Sequence, residues 1–576
     1  MSTQQTVSEI VEKIEGYERD MEPIFQENRE ISDKFRLIPG KSPGQKGLSQ
    51  AVAAEMQRAV EALATVWYKQ LFAQAPNFSI SPMRPGISAD DIRQHVTLLE
   101  AQNKARHLKV KAFKALRQIA LFGGIFIDNA FRFSKQHGLK YTSFESLEID
   151  EVAFDRTVPD IANANWICPL YWISVPTLRK FIAEDAPRNV WDHDAIEREI
   201  ESSKHSDNVP SRVKQRLQAA GYNPTQSEGV LELAFYQGVM DHEKSYDDNF
   251  VMVLNRHTQI RRHKNPFPHR RKQIRYVGVK TFGREPLAYG VGKEGLRLHK
   301  QMDANRRKMD DILIQALLGI WKVARTANLD FAQMEMKPFN IVELDNVDSL
   351  KPVRPDLNAI GFGMQREEAY RNEFRGLTGA VDGLQAEVTE ATLGEVSLAM
   401  GEAFRRVSTY GELIGEALLW EDYDRSIKNN QAWIKEPMWL EQTGDKGPLE
   451  ILPSSISKVV SAQLRMITDK DFAPAKLKSL LQFFQMVTSV RQMMPELNPI
   501  VIAEQIGLML NVDPKRLTEP VPGGNQLDPR RMESRQAFLS EMGRRNDVAG
   551  GGGGGDPRVF SRSVGQIPAG VPQGAL

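Results

Sequence analysis

Between Tyr289 and Arg325 the chain reads YGVGKEGLRLHKQMDANRRKMDDILIQALLGIWKVAR. The stretch opens on a glycine-rich turn, Gly290, Gly292 and Gly295. It then runs into apolar positions, Met302, Met309, Ile312, Leu313, Ala316, Leu317, Ile320 and Trp321, that recur at steps of three and four residues. One stripe is apolar and the opposite face is charged, so the segment is predicted to be an amphipathic helix. About 33 residues at roughly 1.5 Å each give a rod on the order of 50 Å, longer than the usual three or four turns of a globular helix. Such a rod bridges two parts of a structure, and its stripe, with Leu313, Leu317 and Trp321, becomes a candidate assembly surface.

Composition bounds what surrounds it. The chain has 576 residues, 41% of them apolar, which is ample for several buried cores. Lys plus Arg number 75 against 74 for Asp plus Glu, so the net charge is +1 and a globally basic nucleic-acid coat is excluded. Any DNA contact has to come from a local patch. The single cysteine, Cys168, can form no intrachain disulfide and no thiolate zinc site, which fits a reducing compartment such as a cytoplasm. The opening MSTQQTVSEI lacks a basic segment followed by an apolar core, and the longest apolar run, Ile119 to Ile127, is about half the length of a span. Neither secretion nor a membrane span is expected.

Taken in order, Ser8 to Phe35 reads as a charged surface helix broken or bent near Pro23, with a partner-binding arm as the alternative. A helix is predicted from Leu48 to Phe72, and another helical run follows the Pro82 to Gly86 turn and continues past Arg117. GGIFIDNAFRF, LEIDEVAFDRT and WICPLYWIS then read as strands, and VLELAFYQGVM, FVMVLNRHTQI and KQIRYVGVKTF as a small antiparallel sheet leading into the long helix. After the rod, Met334 to Val353 reads as a proline-spaced insert. Helical pattern resumes near Met364, is interrupted at Gly376, Gly379 and Gly383, and returns from Glu390 to about Lys428. Gly394, Gly401, Gly411 and Gly415 lie inside that last helix, each costing roughly 1 kcal/mol relative to Ala, so a kinked helix is expected. Trp433 to Leu452 reads as strand and Ala475 to Val512 as helices. Beyond Pro520 the composition turns to Gly, Pro, Arg and Gln, with six glycines from Gly550, and reads as a disordered tail.

Few motifs carry chemistry. Gly290, Gly292 and Gly295 fit G-x-G-x-x-G after a strand and before a helix, which leaves a nucleotide-binding enzyme as an alternative. The helix is too long for a Rossmann crossover, however, and the P-loop pattern fails at Leu287 and Glu294. Arg256 to Arg275 holds eight Lys or Arg, including Arg261, Arg262, Lys264, Arg270, Arg271 and Lys272, three His and no acid. That patch suits phosphate, a solvated loop between strands, or a protein contact. Asp192-His193-Asp194 reads as an exposed turn rather than a metal site. No nucleophile elbow, HExxH or kinase signature is present, so no enzyme and no cofactor are expected.

The order of the parts carries more than any motif. EPLAYGVGKEGLRLHKQMDANRRKMDDILIQAL, with Tyr289, Gly290, Leu298 and Asn305 in place, resembles the entry to the first stem helix of the portal proteins of tailed bacteriophages. EEAYRNEFRGLTGAVDG and VTEATLGEVSLAMGEAFRRV resemble that family's second stem helix, tunnel loop and long helix, with Thr389, Thr392 and Glu395 near its start. The resemblance covers Leu147 to about Leu517 and implies an α+β fold, mainly helical, with wing, stem, clip and crown regions. The implied plan is an N-terminal wing region at 1–290, a first stem helix at 291–325, a clip at 326–363 and a second stem helix at 364–380. A tunnel loop at 381–389 follows, then a long kinked wing helix at 390–428, wing strands at 429–470, crown helices at 471–519 and the tail at 520–576.

What the resemblance implies about function is a ring of roughly twelve subunits at one capsid vertex, through which double-stranded DNA is packaged and ejected without sequence specificity. Its expected partners are copies of itself, the terminase packaging motor, the major capsid and scaffolding proteins, and tail adaptor proteins. It is expected in the virion after assembly in the host cytoplasm. The clip residues Glu343, Asp345 and Asp348 are the candidate docking surface for motor or adaptor. Thr378, Gly379, Val381, Asp382, Gly383, Gln385 and Glu387 are the candidate channel lining. A non-ring DNA-binding or scaffold protein remains the other alternative.

The charges sharpen this expectation. Met364 to Glu390 carries three Arg against six acids, whereas Lys293 to Arg325 carries eight basic residues against four acids. Neighbouring stem helices can therefore pair through opposite charge. An acidic loop lets DNA slide, because many phosphate contacts would accumulate into strong, salt-dependent grip. Changing Asp382 and Glu387 together to Lys is expected to slow packaging without preventing ring assembly, measured as DNA packaged per capsid at matched salt. Equal rates and yields would remove the electrostatic role of this loop.

Overall fold

Helix α1 (Thr3–Phe35) forms because Ile10, Ile14, Tyr17, Met21, Phe25 and Ile31 return to one side every three or four residues, and all six are buried. A break or a bend was expected near Pro23; the helix runs unbroken through it. Pro23 sits on the exposed face, and the cost of a proline inside a helix, about 3 kcal/mol, is outweighed by burial of six large side chains at roughly 1.5–3 kcal/mol each. α1 is thus an amphipathic surface helix: its apolar face is buried against the core, and Glu12, Glu15, Arg19 and Asp20 on the other face are exposed. The computed structural model describes residues 3–39, 49–134, 138–185, 190–203, 230–242, 248–318, 320–323, 350–353, 358–378, 407–440 and 447–466. The chain divides into two units, Met1–Ala473 and Pro474–Leu576, and every described residue lies in the first. The expected crown helices and tail fall outside the described residues.

What α1 covers is a five-stranded antiparallel sheet. In chain order the strands are β1 (Phe78–Pro82), β2 (Gly124–Asp128), β3 (Phe131–Ser134), β4 (Leu139–Thr142), β5 (Glu145–Leu147), β6 (Val152–Phe154) and β7 (Trp166–Ser174). They continue with β8 (Val230–Gly238), β9 (Asn249–Leu254), β10 (Thr258–Lys264) and β11 (Ile274–Gly278). The large sheet has the order β10-β9-β8-β7-β6. Tyr17 packs on Phe154 with ring centroids 5.2 Å apart, and Val152, Ala153, Cys168, Tyr236, Val251 and Val253 complete the same core. Helices α5 (Val175–Asp185) and α6 (His193–Ser203) share a smaller core with this sheet, through Leu178, Ile196, Ile200, Leu233 and Ile260.

Two readings of the strands change here. FVMVLNRHTQI is two strands, β9 and β10, joined at Asn255 and Arg256, both with positive φ (48° and 65°). That left-handed pair matches the twist of a tight hairpin. KQIRYVGVKTF supplies β11, which leaves the large sheet and pairs instead with β2, giving the order β11-β2-β5.

The second core is helical. Helices α2 (Glu55–Phe72), α3 (Ala89–Ala105) and α4 (Leu108–Phe122) pack with the long helical stretch 407–433, whose last part is α9 (Glu421–Trp433). Met56, Val60, Leu63, Leu116, Ile119, Ile414, Leu418 and Tyr423 meet there. The helix expected from Leu48 begins at Glu55, and the run expected past Arg117 is split by His107, whose φ is 53°. Within the described part of the helix expected to be kinked, Glu416–Trp420 forms a π-turn. The helix continues to Trp433, five residues past its expected end. Beyond it lie the short hairpin β14 (Met438–Leu440) with β15 (Leu449–Ile451), helix α10 (Pro453–Ile456) and β16 (Val460–Leu464), which pairs with β1.

A buried polar chain ties these parts together. Arg106, 1% exposed at the side chain, meets the fully buried Asp422 at 2.6 Å and donates to the Thr142 carbonyl at 3.0 Å. Asn129 donates to the other Asp422 oxygen at 2.9 Å and accepts from Arg275 Nε at 2.7 Å. Arg275 in turn donates to the carbonyls of Ala417 and Leu418, inside the π-turn. Burial pushes the Arg275 guanidinium down to about 10, against the opposing pull of Glu421 and Asp422. Removing one partner of a buried pair strands the other. Asp422→Ala is expected to lower the unfolding free energy by roughly 3–5 kcal/mol in urea melts, and the added change Arg106→Met to recover part of it. A loss below about 1 kcal/mol would show that the pair does not hold the parts together.

Candidate functional site

The rod read first from the sequence is α7 (Val291–Leu318), 28 residues and about 42 Å long. It is one half of an antiparallel hairpin with α8 (Asn358–Thr378). Antiparallel pairing follows from the contacts: Gly295 faces Phe374 near the root, and Asn305 Nδ2 donates to the Gly363 carbonyl at 2.7 Å further out. Arg306 reaches Glu367 at 2.6 Å, and Arg371 bonds the same carboxylate at 3.0 Å. At the far end β12 (Ile320–Val323) pairs with β13 (Leu350–Val353), joining the two arms by a short ladder.

The boundaries expected for these parts shift. The first stem helix was expected to reach Arg325, but it stops at Leu318 and the next residues are strand. Trp321 therefore lies on β12 opposite Pro352 and not on a helical stripe. The second helix begins at Asn358, six residues before its expected start and inside the expected clip. The wing region was expected to close at residue 290, where α7 does begin one residue later.

The root of the hairpin explains the glycine motif. A Cβ on Gly290 would collide with Gly123 and Leu121 backbone, one on Gly292 with Ile31 and the Leu121 carbonyl, and one on Gly295 with the Phe374 ring. The three glycines let α7 seat against α4, α1 and α8, and the chain's own atoms fill the space a phosphate would need. In the first turn, Glu294 pairs with Lys280.

About two turns further along, Asp303 is the anchor. It is 2% exposed, takes Lys34 of α1 at 2.5 Å and the Ala53 N–H at 2.7 Å, and lies 3.5 Å from the fully buried His299 ring. Asp310 and Asp311 continue the same role: Ser49 Oγ donates to Asp310 at 2.7 Å and the Ser49 N–H to Asp311 at 2.9 Å. These carboxylates hold residues 49–54 out of helix, which is why α2 starts at Glu55. Burial pushes the Asp303 carboxyl up, but the His299 ring, the Ala53 N–H and Lys34 outweigh burial and hold it down at about 2.

The remaining candidates separate into three groups. Leu313 is 47% exposed on α7, as an assembly residue requires, whereas the side chain of Leu317 lies outside the described residues. Glu343, Asp345 and Asp348 lie outside them too, as do Gly379, Val381, Asp382, Gly383, Gln385 and Glu387, and Thr378 is the last residue of α8. The basic patch is fully described, and much of it is engaged within the chain. Arg256 binds Glu18 at 2.8 Å and Glu232 at 2.9 Å. Arg271 meets Asp424 at 3.1 Å, Lys272 meets Asp248 at 3.4 Å, and Arg275 is in the buried chain. Arg261 lies over the Trp191 ring, and Arg262 donates to Asn249 at 3.3 Å. Lys264 and Arg270 are exposed at the rim. Asp192 of the Asp-His-Asp triplet caps α6 through the Ala195 N–H, and no group among the described residues could hold a metal ion.

Sequence reading missed Lys34, Asp303, Arg106 and Asp422. The available signal was a charge in phase with an apolar stripe, as Lys34 is with Ile31. Compared with known protein families and with curated proteins, the chain matches none.

A pH effect follows from Asp303. Its folded value lies below the ordinary carboxylate value of 3.8, so its stabilisation is complete above about 4 and is lost as pH falls toward about 2. Unfolding midpoints measured from pH 5 down to about pH 2 should fall more steeply for the wild type than for Asp303→Asn. Parallel curves would show that Asp303 does not anchor the hairpin.

Proposed function

We propose that this chain is a portal protein of a tailed bacteriophage, the ring subunit that lines the DNA passage at one capsid vertex. The observation that carries the reading is the hairpin itself: two antiparallel helices, closed at the tip by a two-strand ladder and rooted in a mixed α+β body by buried charge. A hairpin that leaves Leu313, Phe362 (73% exposed) and Met364 (60% exposed) uncovered has apolar surface for a neighbour to bury. Among the described residues no helix is long and apolar enough to cross a membrane.

The two alternatives draw less support from the same geometry. A nucleotide site at Gly290, Gly292 and Gly295 would need room where Gly123, Ile31, Leu121 and Phe374 stand. A DNA-binding surface at Arg256 to Arg275 would have to release several cations from the chain's own carboxylates first. In the portal reading DNA contacts are weak by requirement, since a passage that binds phosphate tightly stalls what passes through it. The motor, the tail adaptor and the capsid would meet surfaces at the tip and around the body.

Native mass measurement tests the reading. Purified protein is expected to form an annular particle of roughly twelve times 65.1 kDa, visible as a ring by negative-stain imaging. A particle of single-chain mass at every concentration and salt tested would overturn it.

A further inference from the structure

We propose that a cleft beside α1, at the root of the hairpin, is a binding site for a small hydrophobic amine, with its ring system in the apolar interior and its ammonium on Glu27. The proposal stands apart from the ring reading, since one chain contains the whole site. The cleft has a volume of about 300 Å³. Met21, Ile24 and Ile31 of α1 form one side, Phe122, Ile149 and Phe154 a second, and residues 286–288 a third. Met21, Ile31, Ile149 and Phe154 are buried, so the interior is apolar at depth. An apolar cavity of roughly 150 Å³ is enough for one benzene ring. Twice that volume suits two fused rings, and Phe122 and Phe154 offer them aromatic contacts.

The rim decides the charge of the ligand. Glu27, Arg156, Glu285 and Lys293 line the cleft, and both cations are engaged elsewhere. The Arg156 guanidinium bonds Asp20, and the Lys293 ammonium lies 4.2 Å from the centre of the Tyr289 ring; neither Asp20 nor Tyr289 lines the cleft. Among the described residues, neither Glu27 nor Glu285 has a side-chain hydrogen bond or an ion pair. Glu285 is exposed, but Glu27 is half-buried. The other half-buried glutamates of α1, Glu9, Glu18, Glu22 and Glu30, each hold a cation, at 2.7, 2.8, 3.4 and 2.7 Å. A carboxylate set back at the mouth of an apolar cleft attracts a cation more strongly than one in open water, because the local dielectric is lower.

An amine with an aromatic body answers both halves of the site. Alkylammonium groups titrate well above neutral pH, so the ligand arrives charged and donates to the Glu27 carboxylate. Asn28, half-buried and lining the same side, adds an amide oxygen as a second acceptor. An anion of the same size would meet two carboxylates at the rim. A neutral molecule would fill the interior and leave Glu27 without a partner. The walls come from α1, the end of α4, the end of β6 and the entry to α7, so a bound amine touches the large-sheet core and the hairpin root at once. Occupancy therefore stabilises the seating of the hairpin by mass action.

Calorimetric titration of the full chain with probes of one shape and different charge tests this: naphthylmethylamine, the neutral naphthalenemethanol and the anionic naphthoate. The amine is expected to bind at one site per chain, about tenfold or more tighter than the alcohol, and the naphthoate not at all. Glu27→Gln is expected to bring the amine down to the affinity of the alcohol while leaving the alcohol unchanged. Ile24→Trp, which fills the cleft from a half-buried position, is expected to abolish binding of both. The amine should also raise the thermal midpoint of the wild type and leave that of Ile24→Trp where it was. Glu27→Gln keeps the size of the side chain, so it carries the test even if the bulkier variant does not fold. No binding of the amine at millimolar concentration would overturn the site. Equal affinities for amine and alcohol, or an amine affinity unchanged in Glu27→Gln, would overturn the role of Glu27. Binding that survives Ile24→Trp places the amine elsewhere and overturns the cleft. None of these outcomes touches the ring reading, which particle mass decides.

Discussion

Asp422 has no contact with water, and that condition governs much of the architecture around it. An isolated buried carboxylate is costly enough that every neighbour has to answer it. Arg106 does so from the break between α3 and α4, and Asn129 from the turn after β2. Through Asn129 the constraint passes to Arg275 on β11, and from there to the carbonyls of Ala417 and Leu418. The π-turn is thereby stabilised by a guanidinium that donates to the displaced carbonyls. Four segments far apart in sequence share one electrostatic problem, and none can move without exposing it.

The hairpin follows a similar division of labour. Charge where the arms seat is buried and paired, as with Asp303, Lys34 and Glu367, whereas Lys293, Arg297, Arg366, Glu368 and Glu373 are exposed. Buried pairs fix direction poorly in energy but well in geometry, since a misplaced arm would strand a carboxylate. Exposed pairs cost little to form or break and respond to salt. A hairpin seated firmly at its root and open to solvent along its outer faces has use for both kinds.

Legibility in the sequence tracked how local each cause was. The stripe of α1 and the apolar, aromatic and β-branched runs of β7 and β8 are written in adjacent residues, so these elements were predicted where they occur. The end of α7 was not, because Ile320 and Trp321 continue the helical period by coincidence. What makes them strand is the partner Leu350 to Val353, some thirty residues on, and the nearer hint was Gly319. The hairpin at Asn255 and Arg256 was missed because a left-handed arginine is unusual, and this one is held by Glu18 and Glu232. The antiparallel pairing of two long helices was legible. The anchors that seat them were not, since Lys34, Ala53 and Asp303 come from three separate stretches and meet only in the folded chain.

One thiol in 576 residues lies in the middle of the large sheet, opposite Ala153 and beneath α1. Burial pushes the Cys168 thiol well above its ordinary range, so it stays protonated and inert while the sheet is closed. Its alkylation rate is consequently a clock for the opening of that one core. Read under denaturant or load, it reports whether the body yields when the arms are pulled, without any label being added to the molecule.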